Sequence, residues 1–421
     1  MADQQVYVYI DLKSGPFLVG RLWSRFSKGR ESASFEYDRA WLEHPERFAL
    51  EPALTLDPGP QHTAQDQRLF GALGDSAPDR WGRVLMRRGE RRHAEAERRS
   101  IKTLGEIDYL LLVDDEARQG ALRFSFQENG PFLANATASR IPPFVELSRL
   151  LSAGQHFASE TETDEELRML LVPGSSLGGA RPKALVRDHD HSLAIAKFPH
   201  PNDEYDVEKW EAVTLSLASQ AGIVVPGWRL EAVSGKSVLL LRRFDREGTG
   251  RTPFLSAMSM LGARDHERHS YLEIVDTLRR YGAQPVEDSR SLWRRIVFNV
   301  LVSNTDDHLR NHGFLYTGGR GWRLAPAYDL NPVPIDVKPR VLSTSIAPDD
   351  DTASLELALD HAEYFGLNSR QANQIAGEVG KAVSGWRDAA EKYGIKAKAI
   401  DRMKTAFEHR DLEAAIRRAD S

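Results

Sequence analysis

Fifteen residues, "VSNTDDHLRNHGFLY" at 302–316, hold Asn304, Asp306, Asp307, His308, Asn311 and His312 between a helix-like apolar run, "LWRRIVFNVL", and an apolar "FLY". A fold does not need so many small polar groups in one place, so the stretch points to chemistry. Four residues separate Asp306 from Asn311. In a protein-kinase catalytic loop that spacing places the aspartate that takes or orients an acceptor hydroxyl proton and the asparagine that holds magnesium. Magnesium prefers hard oxygen donors, carboxylates and amides among them. Downstream, Asp329 in "LAPAYDLNP" stands where a second metal-holding aspartate is needed. Taken alone, an Asx turn is the plainer account of that residue.

Upstream, Lys197 ends "LAIAKF", an alternating run like the V-A-I-K strand whose lysine reaches nucleotide phosphates. The next helical stretch carries Glu208 and Glu211 where a kinase keeps the lysine's carboxylate partner. Glu211, between Trp210 and an apolar run, is the better candidate, although helix phase alone does not choose. Before the lysine, "GSSLGGARPK" at 174–183 offers glycines whose backbone N–H groups can approach phosphates. It is not a Walker A loop, because Ala180 and Arg181 stand where Lys and Ser/Thr must follow G-x4-G. Each signal is weak alone. Their order (glycine-rich loop, strand lysine, helix glutamate, hairpin, D-x4-N, last aspartate) is that of a kinase.

The elements that must position these residues are legible in part. "QVYVYID" alternates with Val6, Val8 and Ile10 on one face, and "FLVGRLW" and "SASFEYD" read as its antiparallel partners. A helix follows, with Pro78 near its start, then helical "LGEIDYLLLV" and strand "GALRFSF". "LANATASRIPP" is a polar, proline-ended connection. "PKALVRD" and "SLAIAKFP" form a hairpin around "HDH", and a second hairpin turns at Ser234 and Gly235. After Asp245 strand signals nearly vanish and helical periodicity takes over. The expected organisation is an N-terminal subdomain (1–140), a sheet-rich lobe with loop and hinge (141–244) and an all-α lobe (245–421).

With 421 residues, 41% hydrophobic and 28% charged, the composition is that of an ordinary globular protein of two or three domains or lobes. A net charge of −5 argues against a chain that coats nucleic acid. The absence of cysteine excludes disulfides and Cys-ligated metal centres. The N-terminus has no basic and apolar signal-peptide pattern, and no apolar run approaches a membrane span. The expectation is a cytoplasmic protein without membrane contact.

"GSSLGGARPKAL", "AIAKFP", "RRFDR", "NTDDHLRNHGFL" and "LAPAYDL" resemble the HipA family of bacterial kinases, toxins of type II toxin–antitoxin modules; "VYIDLKSGPFLVGRLW" and "DSAPDRWGR" resemble its N-terminal subdomain. The resemblance implies an α+β fold: bilobal, protein-kinase-like and phosphoinositide-kinase-like, with an extra β-rich N-terminal subdomain and an all-helical C-terminal lobe. It implies a serine/threonine protein kinase using ATP and Mg2+. By position, Asp306 would be the catalytic base and Asn311 and Asp329 the metal ligands. Nucleotide contacts would come from Gly178, Gly179, Ala180, Arg181, Pro182, Lys183, Lys197, the hinge Arg242, Arg243 and Phe244, and from His308, Asn311, Tyr328 and Asp329. Ser176, with Ser175 as a second site, would be autophosphorylated to silence the loop, as a dianion there repels ATP phosphates. Implied partners are a HipB-like helix-turn-helix antitoxin, DNA mainly through it, and a substrate such as an aminoacyl-tRNA synthetase, glutamyl-tRNA synthetase being the type case. Asp307 stands where the type case has glycine; with His308 it is placed to support the loop by hydrogen bonds.

Plainer readings stand beside these. The arginines at 80, 83, 87, 88, 91 and 92 are interleaved with Glu90, Glu95 and Glu97, and read as a solvated face rather than a contact with DNA or an acidic partner. His189 and His191 read as a turn, "SETETDEE" at 159–166 as a mobile surface loop, and the tryptophans as core. Two rival functions are a metal-dependent phosphohydrolase using "DDH" and "NH", and a non-catalytic partner of a DNA-binding antitoxin in operator repression.

Overall fold

The computed structural model describes residues 4–27, 30–134, 141–174, 176 and 179–419. This mixed α+β chain divides into two compact units, Met1–Asn202 with Glu231–Leu255, and Asp203–Leu230 with Ser256–Ser421.

In the first unit the alternation of "QVYVYID" becomes the strand Gln4–Leu12, with Val6, Val8 and Ile10 fully buried. It lies between Gly15–Ser27 and Leu122–Ser125 in an antiparallel sheet that continues through Arg30–Tyr37 and Gln61–His62. The helix Arg80–Ala96 sends Trp81 and Leu85 into a core with Leu150, Leu170, Ala184, Ala196 and Leu240. That core joins it to helices Leu147–Ala158 and Asp164–Gly174 and to the antiparallel strands Lys183–Arg187, Leu193–Lys197 and Lys236–Arg242. Ser234 and Gly235 turn the second hairpin with φ of 50° and 75°, the left-handed pair a two-residue type I′ connection requires. The "HDH" stretch is the turn expected: His191 is left-handed and Asp190 accepts from the Ser192 N–H at 3.0 Å.

The stretch at 159–166 is not the mobile loop its composition suggests. Arg88 Nη1 reaches both carboxylate oxygens of buried Glu162 at 3.0 and 2.9 Å, and Asp164 already opens a helix. Other arginines of the Trp81 helix are similarly engaged, Arg83 with Glu106 at 2.6 Å and Arg92 with Asp164 at 3.5 Å. An ion-paired face is therefore the structural account of that helix.

The second unit is mainly helical. Trp210, on the helix Val207–Gln220, packs by Trp386 and Phe407, whose rings stack 4.6 Å apart. Gly377 and Gly380 let Arg410–Ala419 lie against Ser369–Ser384, since a Cβ at either would come within 2.8 Å of that helix's backbone. The expectation of an all-α C-terminal part needs correction: Gly313–Tyr316 pairs with Trp322–Leu324 in a short hairpin. Two brief apolar runs flank "TGGRG", where Gly318 and Gly321 supply positive φ. Among the described residues no helix is long and apolar enough to cross a membrane.

Candidate active site

The polar stretch begins where the helix Pro285–Leu301 ends. Ser303 takes φ of 52°, the Asn304 N–H bonds the Asn299 carbonyl at 2.9 Å and the Ser303 N–H the Val300 carbonyl at 3.4 Å. This is a Schellman stop with serine in the usual glycine position. Ser303 Oγ donates to the Ala406 carbonyl at 2.7 Å, which holds the turn in place. The chain therefore leaves the helix in a fixed direction, and the next residues are aimed.

The two adjacent aspartates point to different worlds. Asp307 is buried, and its Oδ2 accepts from Tyr271 Oη at 2.6 Å, Asn299 Nδ2 at 2.8 Å and His312 Nε2 at 2.8 Å. Burial pushes its pKa up, but the charge of His312 and these hydrogen bonds outweigh it and hold the carboxyl below its ordinary value. Asp306 instead keeps 70% of its side chain exposed, with Lys338 Nζ 3.4 Å from Oδ1. The Asp306 carbonyl accepts from the His308 N–H at 2.9 Å and from Asn311 Nδ2 at 3.3 Å, so D-x4-N closes into one compact loop. His308 is half-buried, and its Nδ1 has no hydrogen-bond partner among the described residues. Tyr328 Oη donates to the Arg310 carbonyl at 2.7 Å, tying the segment of Asp329 to the same loop.

Asp329 has φ of 59°, a left-handed conformation that aspartate tolerates better than most residues. Asn331 Nδ2 donates to Asp329 Oδ1 at 3.3 Å, while its Oδ1 is buried without a partner among the described residues. Asn311 and Asp329, the latter bonded by the side chain that carries the orphaned Asn331 amide oxygen, have oxygen donors of the type magnesium takes. Among the described residues no group of three or more His, Cys, Asp or Glu is placed to hold a metal ion.

The glycine-rich stretch lies in the first unit, where Gly179 has φ of 76°. Its N–H donates to Asp79 Oδ2 at 2.9 Å, its carbonyl accepts from the Trp81 N–H at 3.0 Å, and Trp81 Nε1 donates to the Lys183 carbonyl at 2.8 Å. A Cβ on Gly179 would sit 2.7 Å from Lys183 Nζ, so this lysine folds back over the glycine. Asp79 and Trp81 are the clamp that sequence reasoning missed; "DSAPDRWGR" was visible, but its partner lies 100 positions away. Ala180 is exposed, Arg181 half-buried, Pro182 and Lys183 buried. Lys183 and Lys197 face each other across two paired strands. Ser176 is 4% exposed and its Oγ has no hydrogen-bond partner among the described residues. Ser175 and Gly178 lie outside the described residues. Glu208 and Glu211 are both 2% exposed in the second unit, so burial does not choose between them.

The hinge residues divide. Arg242 is exposed, 3.6 Å from Asp190, and Phe244 lies by Phe254 at 6.3 Å. Arg243 is buried, donating to the Ala117 carbonyl at 2.7 Å and to Asp245 Oδ1 at 2.7 Å. Its side chain is thereby committed to structure, and its N–H donates to the Leu193 carbonyl at 2.9 Å. Asp245 also accepts from the Gly120 N–H at 2.8 Å and from Arg246 at 2.8 Å. Burial opposes its ionisation, yet the two guanidinium groups hold it well below the carboxylate range.

A family model described as the HipA-like C-terminal domain matches residues 175–386, and one for the HipA N-terminal domain matches 13–109. A Sinorhizobium fredii protein named "Putative kinase Y4mE" is 23% identical over 426 residues, 94% of this chain and 90% of its own. A Haemophilus influenzae protein named "Putative kinase" is 23% identical over 250 residues, 51% of this chain and 72% of its own. Among solved structures, the HipA, HipB and operator DNA complex of the Shewanella oneidensis MR-1 toxin–antitoxin system holds a chain with the same fold: TM-score 0.67 at 15% identity, covering 99% of this chain and 96% of that one. With the C-terminal model spanning half of the sequence and the N-terminal model preceding it, the chain belongs to the HipA family.

Proposed function

We propose that this chain is an ATP- and magnesium-dependent protein serine/threonine kinase and the toxin of a HipA/HipB-type module. One observation carries the reading: Asp306 is exposed on a loop that its own carbonyl closes with Asn311, and Tyr328, next to Asp329 in the chain, bonds the same loop. Magnesium-bound ATP, when present, supplies the phosphoryl group and neutralises its charge. Asp306 takes or orients the acceptor hydroxyl proton; Asn311 and Asp329 hold the metal. Lys197 and the loop at 176–183 cradle phosphates, with residues 242–244 as the hinge. In this reading 1–140 form the family's N-terminal subdomain, 141–244 the nucleotide-side lobe and 245–421 the lobe of the catalytic loop.

Ser176 is the autophosphorylation site of the proposal, with Ser175 as the second. A phosphate dianion has no place in a buried position, so modification of Ser176 would have to turn the loop outward. The partner is a HipB-like antitoxin, in line with the complex in which the structural neighbour was solved. The substrate is a translation-related protein, an aminoacyl-tRNA synthetase by resemblance, and the setting is the cytoplasm. The phosphohydrolase alternative loses ground on one point. Asp307 and His312, which its metal centre would use, are bonded to each other and buried.

Calorimetry with ATP and magnesium tests the nucleotide half of the reading. Wild type should bind, and Lys197→Ala should weaken binding at least tenfold with the fold intact by circular dichroism. Equal binding by both proteins would contradict the assignment of Lys197.

A further inference from the structure

The segment after Asp329 is laid along the catalytic loop residue by residue. The Asn331 N–H meets Asn304 Oδ1 at 3.4 Å, and the Val333 N–H donates to the Ser303 carbonyl at 3.2 Å. Lys338 Nζ reaches Asp306, Ser343 donates to the Thr305 carbonyl through both its N–H and its hydroxyl at 3.0 Å, and Thr344 Oγ1 donates to the Asp307 carbonyl at 2.7 Å. The strap is pinned from outside as well: the Ile335 N–H donates to Thr405 Oγ1 at 3.1 Å, and Arg340 pairs with Asp411 at 2.7 Å.

A strap so firmly tied could bury its apolar side chains, yet Ile335, Val337 and Val341 are 57%, 52% and 40% exposed. Elsewhere among the described residues no two large exposed apolar side chains come within ten positions of each other. Single exposed apolar residues need no explanation, whereas a group of them marks a contact surface. Here the group brackets Lys338, the residue that touches the candidate base.

We infer that the strap at 335–341 is where the phosphate-accepting protein docks: a branched or aromatic apolar side chain beside its Ser or Thr covers Ile335 and Val337, and its hydroxyl takes the Asp306 carboxylate from Lys338. This rests on the kinase reading and adds the class of acceptor. The occupant follows from the neighbours. A carboxylate this exposed accepts a proton from a small hydroxyl, and the exposed apolar side chains on the strap whose Lys338 reaches it have no use for a purely polar acceptor. On transfer, the acceptor oxygen bonds to the γ-phosphorus, the bond from that phosphorus to the β–γ bridging oxygen breaks, ADP leaves with its electron pair, and the hydroxyl proton passes by way of Asp306 to solvent.

The test is a positional-scanning library of peptides with a central Ser or Thr, phosphorylated by the full chain with magnesium and γ-labelled ATP. Wild type should select Leu, Ile, Val or Phe at one position near the acceptor. Ile335→Ser with Val337→Ser should erase that selection and raise KM for the best peptide about tenfold, the loss expected from about 1.4 kcal/mol of docking, with kcat within twofold and ATP affinity unchanged. Val286→Ser, which removes an equally exposed apolar side chain elsewhere, should leave the rate as in wild type. A library phosphorylated without apolar preference, or with the same preference in the double variant, overturns the docking surface and leaves the kinase reading standing. No transfer to any peptide or to the chain itself contradicts the kinase reading, and the surface falls with it.

Discussion

Asp306 and Asp307 show how one residue type takes two roles from surroundings alone. Asp307 collects three donors inside the protein, and Asp306 turns to solvent. Asp307→Asn removes the charge that His312 faces and turns an acceptor into a donor. It should lower stability by about 3–5 kcal/mol in urea titrations, the range for breaking a buried pair. The sign with pH follows from the lowered pKa. The contribution of Asp307 is complete above the ordinary carboxylate value and is lost only as pH falls through its still lower folded value, so the loop should stay fixed across the neutral range. The spacing of Asp306 and Asn311 was legible because the loop closes on itself within five residues. The partners of Asp307 were not, since Tyr271 stands 36 positions earlier and nothing local announces it.

At the scale of elements, alternation and turn chemistry revealed the strand of Val6, Val8 and Ile10 and the turn at Ser234 and Gly235, because their causes lie within a few residues. The acidic stretch at 159–166 misled because its ordering partner, Arg88, comes from a distant helix. Glu51 is a similar hidden case. Its carboxylate accepts from the Ala72 N–H at the start of the short helix Gly71–Gly74, and burial, assisted by Asp75, pushes its pKa from about 4.5 to about 8. Below pH 4.5 folded and unfolded chains both carry the proton. Between 4.5 and 8 the folded chain keeps a proton that the unfolded chain releases, so stability declines as pH rises, by at most about 1.4 kcal/mol per pH unit. Glu51→Gln should remove that decline, with a larger gain in melting temperature at pH 8 than at pH 5. An equal gain at both would contradict it.

At the scale of the whole molecule, the first unit bonds its early segments to the glycine-rich stretch and to the strand end at 243–246 rather than leaving them appended. Within the first unit, Asp79 and Trp81 clamp the glycine-rich stretch, and the "RRFDR" residues Arg243, Asp245 and Arg246 grip the backbone at 117–120. Asp245→Ala would leave two buried guanidinium groups uncompensated and should cost about 3–5 kcal/mol, read as a lower urea midpoint for the first unit. The central claim is that Asp306 directs transfer of phosphate from ATP. Intact-mass and phosphosite analysis of the full chain after incubation with ATP and magnesium, beside Asp306→Asn, tests it most directly. The account predicts a gain of one phosphate, on Ser176 or Ser175, in the wild type and none in the variant. A chain that binds ATP and gains the same phosphate with or without Asp306 would contradict it.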